Sequence, residues 1–118
     1  LIKDNHIRIA GGVDEAVRRV RETGSMLPIE VEAQGLADVD AALVANADIN
    51  MLDNMDDVMT RAAIARIAGR AKVELSGNMT VERVRTLADS GADYISIGAL
   101  THSAPAADIS LEVERLLS

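Results

Sequence analysis

The sequence predicts an α/β fold of about five parallel βα units, forming part of a TIM-like barrel or, alternatively, an open half-barrel. The first observation is that short apolar runs alternate with amphipathic stretches along the chain. The second is that these runs end at five positions 21 to 29 residues apart, the length of one strand plus one helix: Lys3, Glu32, Asp53, Ser76 and Gly98. The third is that these end residues are charged, polar or glycine, and folds of this kind bind ligands at the carboxyl ends of their strands.

The length limits the chain to one domain. A closed barrel of eight units needs roughly 250 residues, whereas this chain has 118. Because it begins at Leu1 inside an apolar run and without an initiator Met, we expect residues 1–118 to be a single barrel-domain fragment. The missing part is expected to lie on the amino-terminal side.

The composition argues against several classes of partner. Twelve basic and nineteen acidic residues give a net charge of −7, which opposes general attraction to nucleic acid or to anionic membranes. The chain has no cysteine, and its amino terminus has no charged region followed by a long apolar stretch. A cytoplasmic enzyme is therefore expected, and any bound anion must be held by local groups.

The first half of the chain predicts two strand–helix units after an initial strand that ends at Lys3. Helical spacing predicts a helix over residues 12–24, and alternation predicts a strand over 28–32 with Glu30 and Glu32 on one face. A second helix ends near Asn46 and precedes a strand over 48–52. The two helices are predicted by the apolar stripes Val13, Ala16, Val17 and Val20, and Leu36, Val39 and Leu43.

The second half repeats the pattern. A third helix runs toward Gly69 and precedes a strand over 71–75, and Thr80 caps a fourth helix that ends at Gly91 before a strand over 93–97. Asp108 is predicted to cap a last helix. The third helix is predicted by the stripe Met55, Val58, Met59, Ala62 and Ala63. The last two helices are predicted to bury the stripes Val81, Val84, Leu87 and Ala88, and Ile109, Val113 and Leu116.

Glu32 and Asp53 form a candidate acidic pair. Each ends a different strand, so we expect them to be neighbours at one edge, where two carboxylates can hold Mg²⁺, directly or through water, or bind ribose hydroxyls. The alternative is that Glu32 only solvates a strand end and Asp53 only begins a loop or caps a helix.

Two glycine-containing loops form a candidate phosphate site. Ser76, Gly77 and Asn78 place backbone amides between a strand and a helix, a suitable cradle for phosphate. Taken alone, this loop is better interpreted as a routine connection whose glycine permits positive φ. Gly98 and the nearby His102 favour the phosphate function, because the last two strand–helix loops of many phosphate-binding barrels hold one phosphate together.

Lys3 is a candidate point charge for a pyrophosphate or a substrate carboxylate. His6 follows it and is either a proton carrier or a hydrogen-bonded structural residue. Asn50 is a polar residue in a strand expected to be buried, and no function follows from it.

Five ordered blocks resemble one family. They are LIKDNH at residues 1–6, IEVE at 29–32, MLDN at 51–54, ELSGN at 74–78 and GALTHS at 98–103. Together they are similar to the carboxy-terminal barrel portion of quinolinate phosphoribosyltransferase, a phosphoribosyltransferase with a type II barrel, over essentially the whole chain. Ala33, Gln34 and Asn50 depart from the family pattern without removing a candidate ligand.

The resemblance implies transfer of phosphoribosyl from phosphoribosyl pyrophosphate to quinolinate with decarboxylation, giving nicotinate mononucleotide for NAD synthesis, with Mg²⁺ as cofactor. It implies that Lys3 contacts quinolinate or pyrophosphate, and that Glu32 and Asp53 hold the ribose hydroxyls and a water-coordinated metal. The residues implied to surround the 5′-phosphate are Ser76, Gly77, Asn78, Gly98 and His102.

The resemblance also implies a homo-oligomer, a dimer or larger. In the family, an amino-terminal domain and the first barrel strand supply arginines, a lysine and a histidine that bind quinolinate. The resemblance implies that both are absent from this chain, so little turnover is expected from these 118 residues alone. The alternative is a non-catalytic phosphate-binding half-barrel, or an engineered fragment with an open flavodoxin-like sheet.

Overall fold

The computed structural model describes residues 1–113, and its centre is one sheet of parallel strands in the order β1-β2-β3-β4. The strands are β1 (Glu30–Ala33), β2 (Ile49–Asp53), β3 (Lys72–Ser76) and β4 (Tyr94–Ile95). Ile2 pairs with Val31 through an isolated parallel bridge. The prediction of a parallel α/β fold is confirmed, although the first predicted strand is reduced to this bridge and β4 is shorter than residues 93–97.

Helices connect the strands as the spacing predicts. They are α1 (Asp4–Ala10), α2 (Val13–Glu22), α3 (Leu36–Val44), α4 (Asp57–Ile67), α5 (Val81–Leu87) and α6 (Ala99–His102). The predicted cap is confirmed, since the Thr80 hydroxyl accepts the Arg83 N–H at 3.2 Å. Helix α1 was not predicted, because only Ile7 and Ala10 form its core-facing side, too short a pattern to indicate a helix. Within residues 1–113, none of the helices has the length and apolar character needed to cross a bilayer.

The core lies on one face of the sheet. Every second strand residue points to this face and is buried: Val31, Ala33, Leu52, Val73 and Leu75. Side chains of α2, α3, α4 and α5 pack on them, among them Val17, Val39, Ile67 and Leu87. The opposite face carries Glu30, Glu32, Met51, Asp53, Glu74 and Ser76, all half-buried. The sheet is therefore covered by helices on one side and open on the other.

Asn50 lies in the middle of the covered face. It pairs in register with Val31 and Val73, and its exposure is 0%. Neither atom of its amide has a hydrogen-bond partner within residues 1–113. The expectation that this position is buried is confirmed, and the buried amide is an energetic cost to the fold.

Two details of the predicted helices are wrong. Val81 is 61% exposed, and Ala88 is exposed at the end of α5. Residues 103–113 form no helix, so Asp108 caps none and Ile109 and Val113 are exposed. Apolar residues alternate with polar ones over 108–113, a strand-like period, and a short helix without a packing surface is unstable. Leu116 lies outside the described residues.

Candidate functional site

The predicted site residues align along the carboxyl edge of the sheet. Ile2 pairs with Val31, so Lys3 and Glu32 are the next residues on their two segments. Asp53 and Ser76 pair directly at the ends of β2 and β3. Lys3, Glu32, Asp53 and Ser76 thus lie near the same edge, as the parallel order of the strands predicts. Glu32 is paired with Met51, so it lies two residues deeper in the sheet than Asp53.

A cleft of about 520 Å³ opens at the β3–β4 end of this edge. The residues that line it are Ser76, Gly77, Asn78, Met79, Thr80, Ser96, Gly98, Ala99 and His102. All five residues predicted to surround a phosphate belong to this set. Lys3, Glu32 and Asp53 lie outside it, farther along the edge.

Gly77 is required by both conformation and space. Its φ is +80°, a value that side chains with a Cβ rarely adopt. A Cβ at this position would lie 2.3 Å from Asn54 Oδ1 and 2.8 Å from the Asn54 backbone nitrogen. The loop after β3 therefore packs against the loop after β2 more closely than any other residue would allow.

The loop after β3 has unused hydrogen-bond donors. The backbone N–H groups of Gly77 and Asn78 donate to no acceptor within residues 1–113. Exposed amides in a turn of this kind are suitable ligands for an anion. No carboxylate lines the cleft, so a phosphate there avoids direct repulsion despite the net charge of −7.

His102 covers the far wall of the cleft. A Cβ on Gly98 would lie 3.2 Å from His102 Nε2, so the glycine lets the ring approach the backbone closely. The Nδ1 atom of His102 lies 2.6 Å from Ser103 Oγ, which fixes the ring orientation. The imidazole is therefore placed to donate to an anion bound between the two glycine loops.

The acidic pair occupies the open face beside the cleft. Glu32 and Asp53 are half-buried on the same face, and Asn54 Nδ2 donates to Asp53 Oδ2 at 2.7 Å. No group of three or more His, Cys, Asp or Glu side chains with metal-binding geometry occurs in the described part of the chain. Two carboxylates nevertheless fit Mg²⁺, which keeps several water ligands and binds substrate phosphates.

Lys3 and His6 lie at the opposite end of the edge from the cleft. The Lys3 backbone N–H donates to His6 Nδ1 at 2.9 Å, at the start of α1. His6 therefore has a structural role at the beginning of this helix. The Lys3 residue itself is exposed, so its ammonium group is free to approach an anionic ligand over the open face.

Sequence reasoning did not find Asn54 or Ser96. Asn54 Oδ1 accepts from Asn78 Nδ2 at 2.9 Å, so this residue links the loop that follows Asp53 to the glycine-containing loop after β3. Asn54 and Asn78 have φ values of 54° and 50°. Asparagine tolerates this left-handed conformation, and the two strand-end asparagines were the available signal. Ser96 lines the cleft and donates to Glu74 Oε1 at 2.5 Å.

Glu30 and Glu74 form a second acidic pair deeper on the open face. Burial raises the pKa of Glu30 to about 7, and the neighbouring Glu74 carboxylate adds to the shift. One Glu30 oxygen is buried without a partner among residues 1–113. Glu30 therefore keeps its proton to a higher pH than an exposed glutamate, and the neighbouring Glu74 contacts Ser96 in the wall of the cleft.

Comparison with known proteins identifies the family of this chain. The sequence model of the family described as quinolinate phosphoribosyl transferase, C-terminal domain, matches residues 1–112. The nicotinate-nucleotide pyrophosphorylase [carboxylating] of Mycobacterium leprae is 40% identical over 116 residues, covering 96% of this chain and 41% of the relative. The chloroplastic enzyme of the same name from Oryza sativa subsp. japonica is 39% identical over 137 aligned residues, covering 100% and 37%.

Solved structures show the same fold. NadC from Streptococcus pyogenes superposes with a TM-score of 0.80 at 40% identity, covering 86% of this chain and 36% of the other. The nicotinate-nucleotide pyrophosphorylase from Francisella tularensis gives 0.80 at 39% identity, covering 85% and 36%. The chain thus spans about two fifths of the length of the curated relatives that it matches.

Proposed function

This chain belongs to the quinolinate phosphoribosyl transferase family, whose C-terminal domain it matches, and from that membership we propose that it forms the phosphoribosyl-binding part of a nicotinate-nucleotide pyrophosphorylase (carboxylating). The proposed reaction transfers phosphoribosyl from phosphoribosyl pyrophosphate to quinolinate with loss of carbon dioxide, giving nicotinate mononucleotide for NAD biosynthesis. The observation that carries the proposal is that Ser76, Gly77, Asn78, Gly98 and His102 line one cleft, beside the acidic pair.

The cleft is the proposed site of the 5′-phosphate. The unused N–H groups of Gly77 and Asn78 supply donors from one loop, and His102 supplies a donor from the other. Ser76 adds a hydroxyl at the end of β3. Backbone amides hold an anion without a formal charge, so an acidic protein can still bind a phosphate here.

Glu32 and Asp53 are proposed to hold the ribose hydroxyls and Mg²⁺, the metal mostly through water. When bound, Mg²⁺ supplies positive charge to the pyrophosphate leaving group. The two carboxylates act on the ribose, because breaking the bond at the anomeric carbon develops positive charge there, which nearby negative charge stabilises. Their half-buried position strengthens this interaction relative to water.

Lys3 is proposed to bind pyrophosphate or a quinolinate carboxylate. Its position at the far end of the edge from the cleft fits a ligand that extends from the 5′-phosphate across the ribose to a second anion. A compact ammonium group on a flexible stem can follow such an anion as the bond breaks.

The cellular setting is also part of the proposal. We infer a homo-oligomer, without nucleic acid or membrane partners, that works in the cytoplasm. The net charge of −7 supports the exclusion of polyanionic partners. The second candidate function is a non-catalytic phosphate-binding module, which is favoured by the cleft alone because the cleft does not depend on the acidic pair.

Amide chemical shifts of the ¹⁵N-labelled protein test the proposal. Titration with phosphoribosyl pyrophosphate and Mg²⁺ should move the signals of Gly77 and Gly98, and the enzyme function predicts a further response to quinolinate. G77A should abolish the first response, because its Cβ meets Asn54. G35A is the matched control: Gly35 follows β1 with φ −166°, and a Cβ there meets nothing within 4 Å.

The outcomes separate the two candidates. A response to phosphoribosyl pyrophosphate without a response to quinolinate supports the binding module. No response in either glycine loop at millimolar ligand, or equal binding by G77A and G35A, rejects the cleft as the phosphate site. Urea unfolding of both variants shows whether G77A remains folded during the titration.

A further inference from the structure

Arg83 joins the loops after β2 and β3, which carry residues of the proposed binding site. It lies in the first turn of α5, and its side chain is only 18% exposed. Its guanidinium donates to the Gly77 carbonyl at 3.0 Å, to the Met55 carbonyl, and to Asp57 Oδ1 at 3.0 Å. One planar group therefore bonds to the loop after β2, the loop after β3 and the first turn of α4.

The bond to the Gly77 carbonyl determines the direction of the next amide. The peptide unit between Gly77 and Asn78 is planar and trans, so its C=O and N–H groups point in opposite directions. Arg83 does not line the cleft, whereas Gly77 and Asn78 do. Holding the carbonyl on the Arg83 side therefore turns the Asn78 N–H away from it.

The same segment is held at a second point. The Arg83 backbone N–H donates to Thr80 Oγ1, so Arg83 contacts both ends of the span from Gly77 to Thr80. The Met55 carbonyl extends this restraint to the chain that follows Asp53. The planar fork of a guanidinium spreads its donors over these separated acceptors, and a lysine ammonium, a compact point charge, does not reproduce that geometry.

We propose that Arg83 is a positioning residue for phosphate binding: it fixes the cleft-lining loop against the loop that follows Asp53 and orients the Asn78 amide. The inference rests on the proposed function, because it takes the cleft to be the 5′-phosphate site. Arg83 acts through the backbone and does not touch the ligand.

Arg61 provides a matched control. It lies in α4 and also joins this helix to α5, donating to the Thr86 carbonyl at 2.8 Å and to Asp89 at 3.0 Å. Neither acceptor lines the cleft. R61Q and R83Q each remove one arginine between the same two helices, but only R83Q releases the loops.

The test is the affinity of the protein for ribose 5-phosphate without Mg²⁺, measured by NMR titration, in wild type, R83Q, R83K and R61Q. Loss of preorganisation should weaken binding by R83Q about tenfold or more, with R83K between wild type and R83Q. R61Q should stay within about twofold of wild type, since surface substitutions away from a site have small effects.

Backbone ¹⁵N order parameters provide an independent readout. In R83Q, the order parameter of Asn78 should fall from about 0.85, typical of rigid backbone, to below about 0.6. It should not change in R61Q. If R83Q does not fold, R83K decides: weaker binding than wild type supports the proposal, and equal binding overturns it.

A folded R83Q that binds like wild type and keeps a rigid Asn78 overturns the inference. If wild type itself does not bind ribose 5-phosphate, the proposed function fails, and the order parameters alone decide whether Arg83 holds the loop. A fall in R83Q but not in R61Q then supports the positioning role, and no fall rejects it.

Discussion

The buried amide of Asn50 should make the protein less stable than an apolar variant. Asn50 is 0% exposed between Val31 and Val73 on neighbouring strands, without a hydrogen-bond partner among residues 1–113. We expect N50V to be stabilised, because valine removes two unsatisfied polar atoms and matches the side chains on both sides. The β-branched side chain also suits a central strand.

The expected gain follows from three contributions. Leaving buried polar groups unpaired costs about 1–3 kcal/mol. Burial of the added methyl groups contributes roughly 1 kcal/mol of stability, and crowding in a packed core costs about 1 kcal/mol. The net effect is about 2 kcal/mol, a large share of the total of about 5–15 kcal/mol that typical domains have.

Urea unfolding followed by far-ultraviolet circular dichroism measures this effect, since the chain has one Tyr and no Trp. With an m value of about 1–3 kcal/mol/M, the midpoint should rise by about 1 M. N50D is the control of opposite sign, because it buries a carboxylate in the same volume. An unchanged or lower midpoint for N50V would show that the amide is satisfied in solution, for example by an internal water, and would refute the reasoning.

Three further predictions concern charge and capping. The folded-state pKa of Glu30 is raised from 4.5 to about 7. The contribution of the protonated carboxyl to the free energy of unfolding is therefore fully present below pH 4.5 and is lost as the pH rises through about 7. Wild type should therefore lose about 1 kcal/mol relative to E30Q over this range, after allowance for solvent screening. Urea unfolding at several pH values measures this, and parallel profiles would contradict it. D53N should weaken binding of phosphoribosyl pyrophosphate with Mg²⁺ about tenfold, the usual effect of losing one charged partner, but leave binding of inorganic phosphate unchanged, because Asp53 does not line the cleft. Calorimetry with both ligands tests the separation, which fails if both affinities fall together. The Asp56 side chain accepts the Met59 N–H at 2.7 Å, so D56A should destabilise the protein by about 1 kcal/mol in urea unfolding, and an unchanged midpoint would show that this cap contributes nothing.

The carboxyl edge could be predicted from the sequence because its signals are local. Glycine and polar residues follow each apolar run, and parallel strands place those ends together. Gly77 and Gly98 are therefore predicted to share one site, and both line the cleft. The roles of the site residues stay predictions, since position alone does not show what a side chain binds.

Contacts between distant segments could not be predicted. Arg83 looks like a solvent-facing residue of α5, and its bonds to Met55 and Asp57 depend on how two units pack. The raised pKa of Glu30 depends on the strand order that brings Glu74 near it. Val81 was expected to be buried because helical spacing gives a stripe but not which part of it the sheet covers.

The parallel register places all the proposed ligand-binding residues at the carboxyl edge of the sheet and none at the amino edge. The turn over residues 23–28 lies there, before β1, and Met26 within it is 96% exposed. A fluorophore, an affinity handle or new chain termini from circular permutation placed at this turn would sit a full strand length from the ligand groups. The molecule therefore offers a reporter position that leaves its chemistry untouched.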